Sequence, residues 1–175
     1  MGDEVEAGRN ARNLLERLAT RVPGFSGYLE RELRREIDQL LRNDLAGRLD
    51  AARASTTAFT RTLHLGAEGR LERVASIDKS LDALANAIRH AGSGYGGLFD
   101  AAKVREEQLE ALYRFDLDLV DDVDAVREAA GALGPDDETL LRLEQAVAKA
   151  RAEFGRREEV VRGVFSRPNA TGGGR

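Results

Sequence analysis

Apolar residues recur along this chain at intervals of three and four, the spacing that keeps side chains on one face of an α-helix. A first helix is predicted from about Asp3 to Arg21, with Ala11, Leu14, Leu15, Leu18 and Val22 on one face and Pro23-Gly24 as its stop. After the turn Pro23-Gly24-Phe25-Ser26-Gly27, Ser26 is placed as the N-cap of a long second helix that reaches Leu65 and is closed by Gly66. Leu33, Ile37, Leu41, Leu45, Leu49, Ala52, Phe59 and Leu63 form its stripe, and a bend is expected at Ser55-Thr56-Thr57. A third helix, Ala67 to Ala91, carries Leu71, Val74, Ile77, Leu81, Leu84 and Ile88 and ends at Gly92. The loop Gly92-Ser93-Gly94-Tyr95-Gly96-Gly97 leads to Asp100 as the N-cap of a fourth helix, with Phe99 and Val104 stapled across that cap. Leu109, Leu112, Asp116, Leu119, Val123, Val126, Ala130 and Leu133 form its seam. Gly134-Pro135-Asp136-Asp137 breaks the pattern and caps a fifth helix carrying Leu140, Leu143, Val147, Ala150, Phe154, Val161 and Val164.

No segment shows the two-residue alternation of a strand. The expected fold is all-α: an antiparallel bundle of four long helices, packed in the manner of a coiled coil, with a short N-terminal helical arm over residues 1–22. Residues 1–165 read as a single bundle domain and residues 166–175 as a flexible tail. Helices three and four are expected to face each other.

Composition narrows the function. With 42% hydrophobic and 33% charged residues, the chain is apolar enough to fold and too charged to span a membrane. A net charge of -4 argues against nucleic acid, which demands a concentrated positive face. There is no cysteine, so no disulfide frame and no thiolate site. The first thirty residues lack the basic-then-apolar order of a signal peptide, and the expectation is a cytoplasmic protein.

Charge inside the apolar stripes is the main chemical signal. Asp116 stands between Leu112 and Leu119, and Asp78 stands among Val74, Ile77 and Leu81. A buried carboxylate without a partner costs several kcal/mol or takes up a proton, so each calls for a donor nearby. Arg34, Arg35, Arg89, His90 and Tyr95 are the expected donors. Three readings follow: a salt bridge that fixes helix register, a ligand or metal pocket at the end of helices three and four, built from Asp78, Asp116, Arg35, His90 and Tyr95, or simple exposure at a bundle edge.

Other motifs read as structural. A carboxylate-bridged metal centre needs Glu-x-x-His steps, but Arg61 precedes His64 and Ala87 precedes His90 by three residues. Asp82, Asn86 and His90 make one ladder without a second carboxylate helix, so neither metal nor cofactor is expected. The glycine loop follows a helix instead of a strand and lacks Gly-Lys-Ser/Thr, which argues against a phosphate cradle. Asp118, Asp121, Asp122 and Asp124 form a helical acidic run, read as a solvated face or a surface for a basic partner. Arg31, Arg34 and Arg35 alternate with Glu30, Glu32 and Glu36, which favours intrahelical ion pairs. No Ser-His-Asp or lysine nucleophile arrangement is recognisable.

Two blocks add a resemblance: Pro23-Gly24-Phe25-Ser26-Gly27-Tyr28 with Glu32, Arg34, Arg35 and Asp38, and His90-Ala91 through Gly94-Tyr95-Gly96-Gly97-Leu98-Phe99-Asp100. They resemble recurring segments of small uncharacterised bacterial helical proteins, over most of residues 23–120. The resemblance implies that the turn and the glycine loop are built features, and it carries no activity, cofactor or catalytic residue. The candidate binding set is then Tyr28, Arg34, Arg35, Asp38, Asp78, His90, Tyr95, Asp100 and Asp116. The leading functional expectation is a non-enzymatic interaction or scaffold protein acting through self-association or a protein partner. A small-ligand or metal-binding bundle is the alternative. A third reading, binding to a membrane surface through the first helix, is weakened because Asp3, Glu4, Glu6 and Glu16 dilute its basic charge.

Overall fold

The computed structural model describes residues 2–23, 34–64, 67–91 and 106–166. These residues form five helices: α1 (Gly2–Arg21), α2 (Arg34–Thr60), α3 (Glu68–His90), α4 (Glu106–Gly131) and α5 (Asp137–Ser166). The fold is all-helical, with no strand among the described residues.

The apolar stripes become the core. Ala11, Leu18 and Val22 of the α1 segment are buried, and Leu14, Leu15 and Ala19 pack at their margin. The Val22 amide closes the last turn on the Leu18 carbonyl at 3.1 Å. The expected arm is therefore a packed helix, seated along α4. In α2, Leu41, Leu45, Ala46, Leu49 and Ala52 are buried. From the other three helices, Val74, Leu81 and Ile88 of α3, Leu119, Val123 and Val126 of α4, and Leu140, Leu143 and Ala150 of α5 are buried in the same core.

Several expected boundaries shift. Helix α2 ends at Thr60, short of Leu65. The Thr62 and Leu63 amides bond back to the Phe59 and Thr60 carbonyls at 2.9 and 3.2 Å, tightening the chain into a turn. The Thr62 hydroxyl donates to the Phe59 carbonyl at 2.7 Å, satisfying an acceptor that a further helical turn would have used. Through Ser55-Thr56-Thr57 the helix is continuous, and the Ser55 and Thr56 hydroxyls donate to the Ala51 and Arg53 carbonyls at 3.3 and 2.8 Å. At the start of α5 the break is closed by Thr139, whose hydroxyl accepts from the Gly134 amide at 3.2 Å and donates to the Asp136 carbonyl at 2.7 Å. The expected caps at Ser26 and Asp100, the Phe99–Val104 staple and residues 167–175 of the expected tail lie outside the described residues.

Helix α4 packs on α1, α2 and α5, while α3 packs on α2 and more loosely on α5. Helices α3 and α4 do not form one of the main joints, which corrects the expectation that they face each other. The seam of α4 is covered by α1, α2 and α5 instead, since a stripe has the same period whatever covers it. Charged pairs mark the register of each joint. Arg53 of α2 meets Asp78 at 3.1 Å and Asp82 at 2.5 Å, and Arg89 of α3 meets Asp50. Arg70 and Arg73 of α3 meet Asp137 and Glu144 of α5 at 3.2 and 2.9 Å. Lys149 of α5 meets Asp122 of α4 at 2.7 Å.

Candidate functional site

One charged cluster sits inside the core. Asp38 on α2, Asp116 on α4 and Arg157 on α5 are all buried, at 8%, 4% and 2% exposure. Arg157 lies between the two carboxylates: its Nε donates to Asp116 Oδ1, and its Nη2 donates to Asp38 Oδ1 at 2.9 Å. The second oxygen of Asp38 accepts from Arg42 Nε at 2.9 Å, one helical turn along α2. Arg42 Nη1 donates in turn to the Arg89 carbonyl at 3.1 Å, in the last turn of α3. Two carboxylates and two guanidiniums thus link four helices, and with all four groups ionised their charges cancel.

Planar guanidinium geometry explains the choice of arginine. Its five donors fan out in a rigid fork, so one side chain serves carboxylates on two different helices, which a lysine ammonium does less well. Burial pushes the Asp116 carboxyl above its ordinary range, and the charge and hydrogen bond of Arg157 pull it back. Asp38 adds repulsion to the first effect and Arg42 attraction to the second. The arrangement is one of mutual neutralisation.

The predicted set divides accordingly. Asp38 and Asp116 come together, joined by Arg157. Asp78 does not join them: it is half-exposed and faces α2, where Arg53 grips it with Nε and Nη2 at 3.1 and 3.2 Å. The donors expected for these two carboxylates are replaced by Arg157 and Arg53, and Arg89 pairs with Asp50. His90 is exposed at the end of α3. Arg34 and Arg35 open α2, and their side chains lie outside the described set, as do Tyr28, Tyr95 and Asp100. Among the described residues no group of three or more His, Asp or Glu side chains is placed to hold a metal ion.

Arg157 was missed, although a signal existed. It falls three residues after Phe154 and four before Val161, so it occupies the apolar stripe of α5 just as Asp116 occupies that of α4. Opposite charges at stripe positions of two helices are a pairing signal that neither residue carries alone.

The acidic run of α4 is also largely engaged within the chain. Arg21 reaches Asp121 and Asp124 at 2.6 and 3.1 Å, Arg48 reaches Asp124 at 2.9 Å, and Lys149 takes Asp122. Asp118 and Asp121 are exposed, as a solvated face requires, whereas Asp124 lies against Arg21 and Arg48 and Asp122 against α5.

Two open grooves lie among the described residues. One, of about 800 Å³, lies where the α2–α3 turn meets the α4–α5 turn and is lined by Phe59, Leu63, Ala67, Leu133 and Pro135. Arg70 lies over the Phe59 ring at 5.5 Å and donates to the Gly134 carbonyl at 2.7 Å. The other, of about 610 Å³, runs between α3 and α5 along Ser76, Ile77, Ser80, Val147, Ala148 and Ala152, with Glu144 and Arg151 beside them. Neither groove is lined by Asp38, Asp116 or Arg157. No helix among the described residues is long and apolar enough to cross a membrane. No family model, curated protein or solved structure matches this chain.

Proposed function

We propose that this chain is a non-enzymatic interaction protein that works through its helix faces, associating with itself or with another protein. The observation that carries the reading is where the polar chemistry is spent. Asp38, Asp116 and Arg157 are turned inward onto one another, while the two described grooves are lined mainly by small and apolar side chains. A catalytic or ligand site needs polar groups held ready for something outside the chain, whereas a docking face needs an accessible seat between helices.

The scaffold we assign to this role is an antiparallel bundle of α2, α3, α4 and α5 with α1 docked on α4. The order of the charged pairs supports it. Along α2 and α3, Arg53 pairs with Asp78 and Asp82 while the earlier Asp50 pairs with the later Arg89. Along α4 and α5, the later Asp122 pairs with the earlier Lys149, and the earlier Asp116 with the later Arg157.

Against the alternative of a ligand or metal pocket, Asp78 and Asp116 are engaged by different arginines at different joints. Membrane-surface binding through α1 would require the apolar face that Ala11, Leu18 and Val22 bury in the core. The proposal is tested by recovering the untagged chain from its native cell and asking what co-purifies, together with light scattering over a concentration series. A chain that elutes alone and stays monomeric at high micromolar concentration would sink it.

A further inference from the structure

The groove between α3 and α5 has a charge pattern that its shape alone would not reveal. Its floor is Ile77 and Val147, each 4% exposed, and its walls are the small residues Ser76, Ser80, Ala148 and Ala152. The Ser80 hydroxyl is satisfied by the Ser76 carbonyl at 2.9 Å, so the wall presents little unmet polarity. Arg73 holds Glu144 with two parallel bonds of 2.9 Å each and thereby fixes the level of the two helices. Both helices run the same way from that end, since Arg70 near the start of α3 also meets Asp137 at the start of α5.

From this level the two helices repeat one pattern. Along α3 it reads Glu72, Ser76, Lys79, Ser80, and along α5 it reads Glu144, Ala148, Arg151, Ala152. In each, an acid is followed four residues on by a small side chain, seven on by a base and eight on by a second small side chain. These steps keep all four on one helical face. Glu72, Lys79 and Arg151 are exposed, and Glu144 is half-buried under Arg73. Glu144 and Arg151 line the groove and Glu72 and Lys79 stand exposed on α3 outside its lining, so the helical spacing gives an acidic row, Glu72 with the Arg73–Glu144 pair, and a basic row, Lys79 with Arg151. Seven residues of helix separate them by about 10 Å, with the small-residue walls between.

We propose that this face is where a second copy of the chain docks, turned end for end about a two-fold axis across the groove. The acidic row of each copy then lies over the basic row of the other, and Glu72 of one meets Lys79 of its mate. Such a contact is isologous: the same patch serves on both sides, as closed dimers require. A face with acid at one end and base at the other complements itself only in the reversed orientation, and the paired bases of the second row repel the parallel one. The small walls let helices approach closely, as they do where backbones pack against each other. The inference rests on the association reading above and assigns it a surface and an occupant.

Sedimentation velocity on the full chain tests it, with circular dichroism melts confirming that each variant folds. The wild-type chain is expected to form a dimer at high micromolar concentration. Glu72→Lys and Lys79→Glu each place like charges together twice by symmetry, and each should raise the dissociation constant roughly tenfold or more. An equal mixture of these two variants should associate again, as should the chain carrying both changes. Ala148→Arg, which fills the groove, should leave the chain monomeric. A wild-type dimer indifferent to all these substitutions overturns this surface and leaves association through another one standing. A strictly monomeric wild-type chain overturns docking of a second copy, and co-purification then decides whether association with another protein survives.

Discussion

Arg157 is the side chain on which two buried carboxylates depend, and its removal should be the most damaging single change in the core. Arg157→Leu leaves Asp116 without its hydrogen-bonding partner and Asp38 with Arg42 alone, and is expected to cost about 3–5 kcal/mol in urea denaturation. Asp116→Leu removes a carboxylate that burial already penalises and leaves Arg157 bonded to Asp38, so its cost should be clearly smaller. Replacing both with leucine should fall near the Asp116 variant. If Arg157→Leu proves as mild as Asp116→Leu, the neutralisation account is wrong. The same carboxyl predicts a pH effect of defined sign. A group whose folded value is raised holds its proton more tightly when folded, so its contribution is fullest below the unfolded value of about 4 and is lost as pH rises through the folded value. Glu144 has the opposite sign: Arg73 lowers it, so its contribution is present above the unfolded value and disappears as pH falls through the folded one. Stability measured against pH for Asp116→Asn and Glu144→Gln should therefore diverge from wild type in opposite directions. Asp116 was legible in the sequence because apolar residues bracket it within the stripe. Asp78 was not, since one step past Ile77 turns it about 100° from that residue, toward α2 and partial exposure.

At the scale of elements, periodicity located all five helices, because burial of a stripe is what makes each of them stable. Their ends were less legible where hydroxyl residues compete for backbone carbonyls, as Thr62 does just after α2. Arginine capping was also hidden from the sequence. Arg48 of α2 donates to the Arg21 carbonyl at the end of α1, a contact between helices far apart in the chain. One residue works against its own helix. Gly47 is exposed in the interior of α2, and a methyl group there meets nothing within 4 Å. Gly47→Ala should therefore stabilise the protein by about 0.5–1 kcal/mol, read as a higher urea midpoint at unchanged slope. A lower midpoint would mean that this face of α2 touches something beyond the chain itself.

For the whole molecule, what the sequence could not supply was which stripe meets which. A stripe records that a helix is covered, and its period is the same whatever covers it. The pairing of α4 with α5 and of α2 with α3 became readable only through complementary charges at stripe edges, such as Asp122 with Lys149 and Arg53 with Asp78. That arrangement places α4 at the centre, against α1, α2 and α5, while α1 relies chiefly on α4. Stability should follow the same order. Leu18, 1% exposed, is the largest fully buried side chain of α1, and Leu18→Ala removes most of what holds that helix to α4. The substitution is expected to cost about 2–5 kcal/mol locally. Arg21 would then tie α1 to α4 through pairs with Asp121 and Asp124 that partly face solvent and are screened by salt, and Arg48 through its bond to the Arg21 carbonyl. Hydrogen exchange followed by mass spectrometry should find the α1 amides opening first in the variant, more so at high ionic strength. The amides of α4 and α5 should keep their protection, since Val120, Val123, Leu140 and Leu143 remain packed without α1. Simultaneous loss of protection in all five helices would contradict this hierarchy and make α1 an integral part of one cooperative unit.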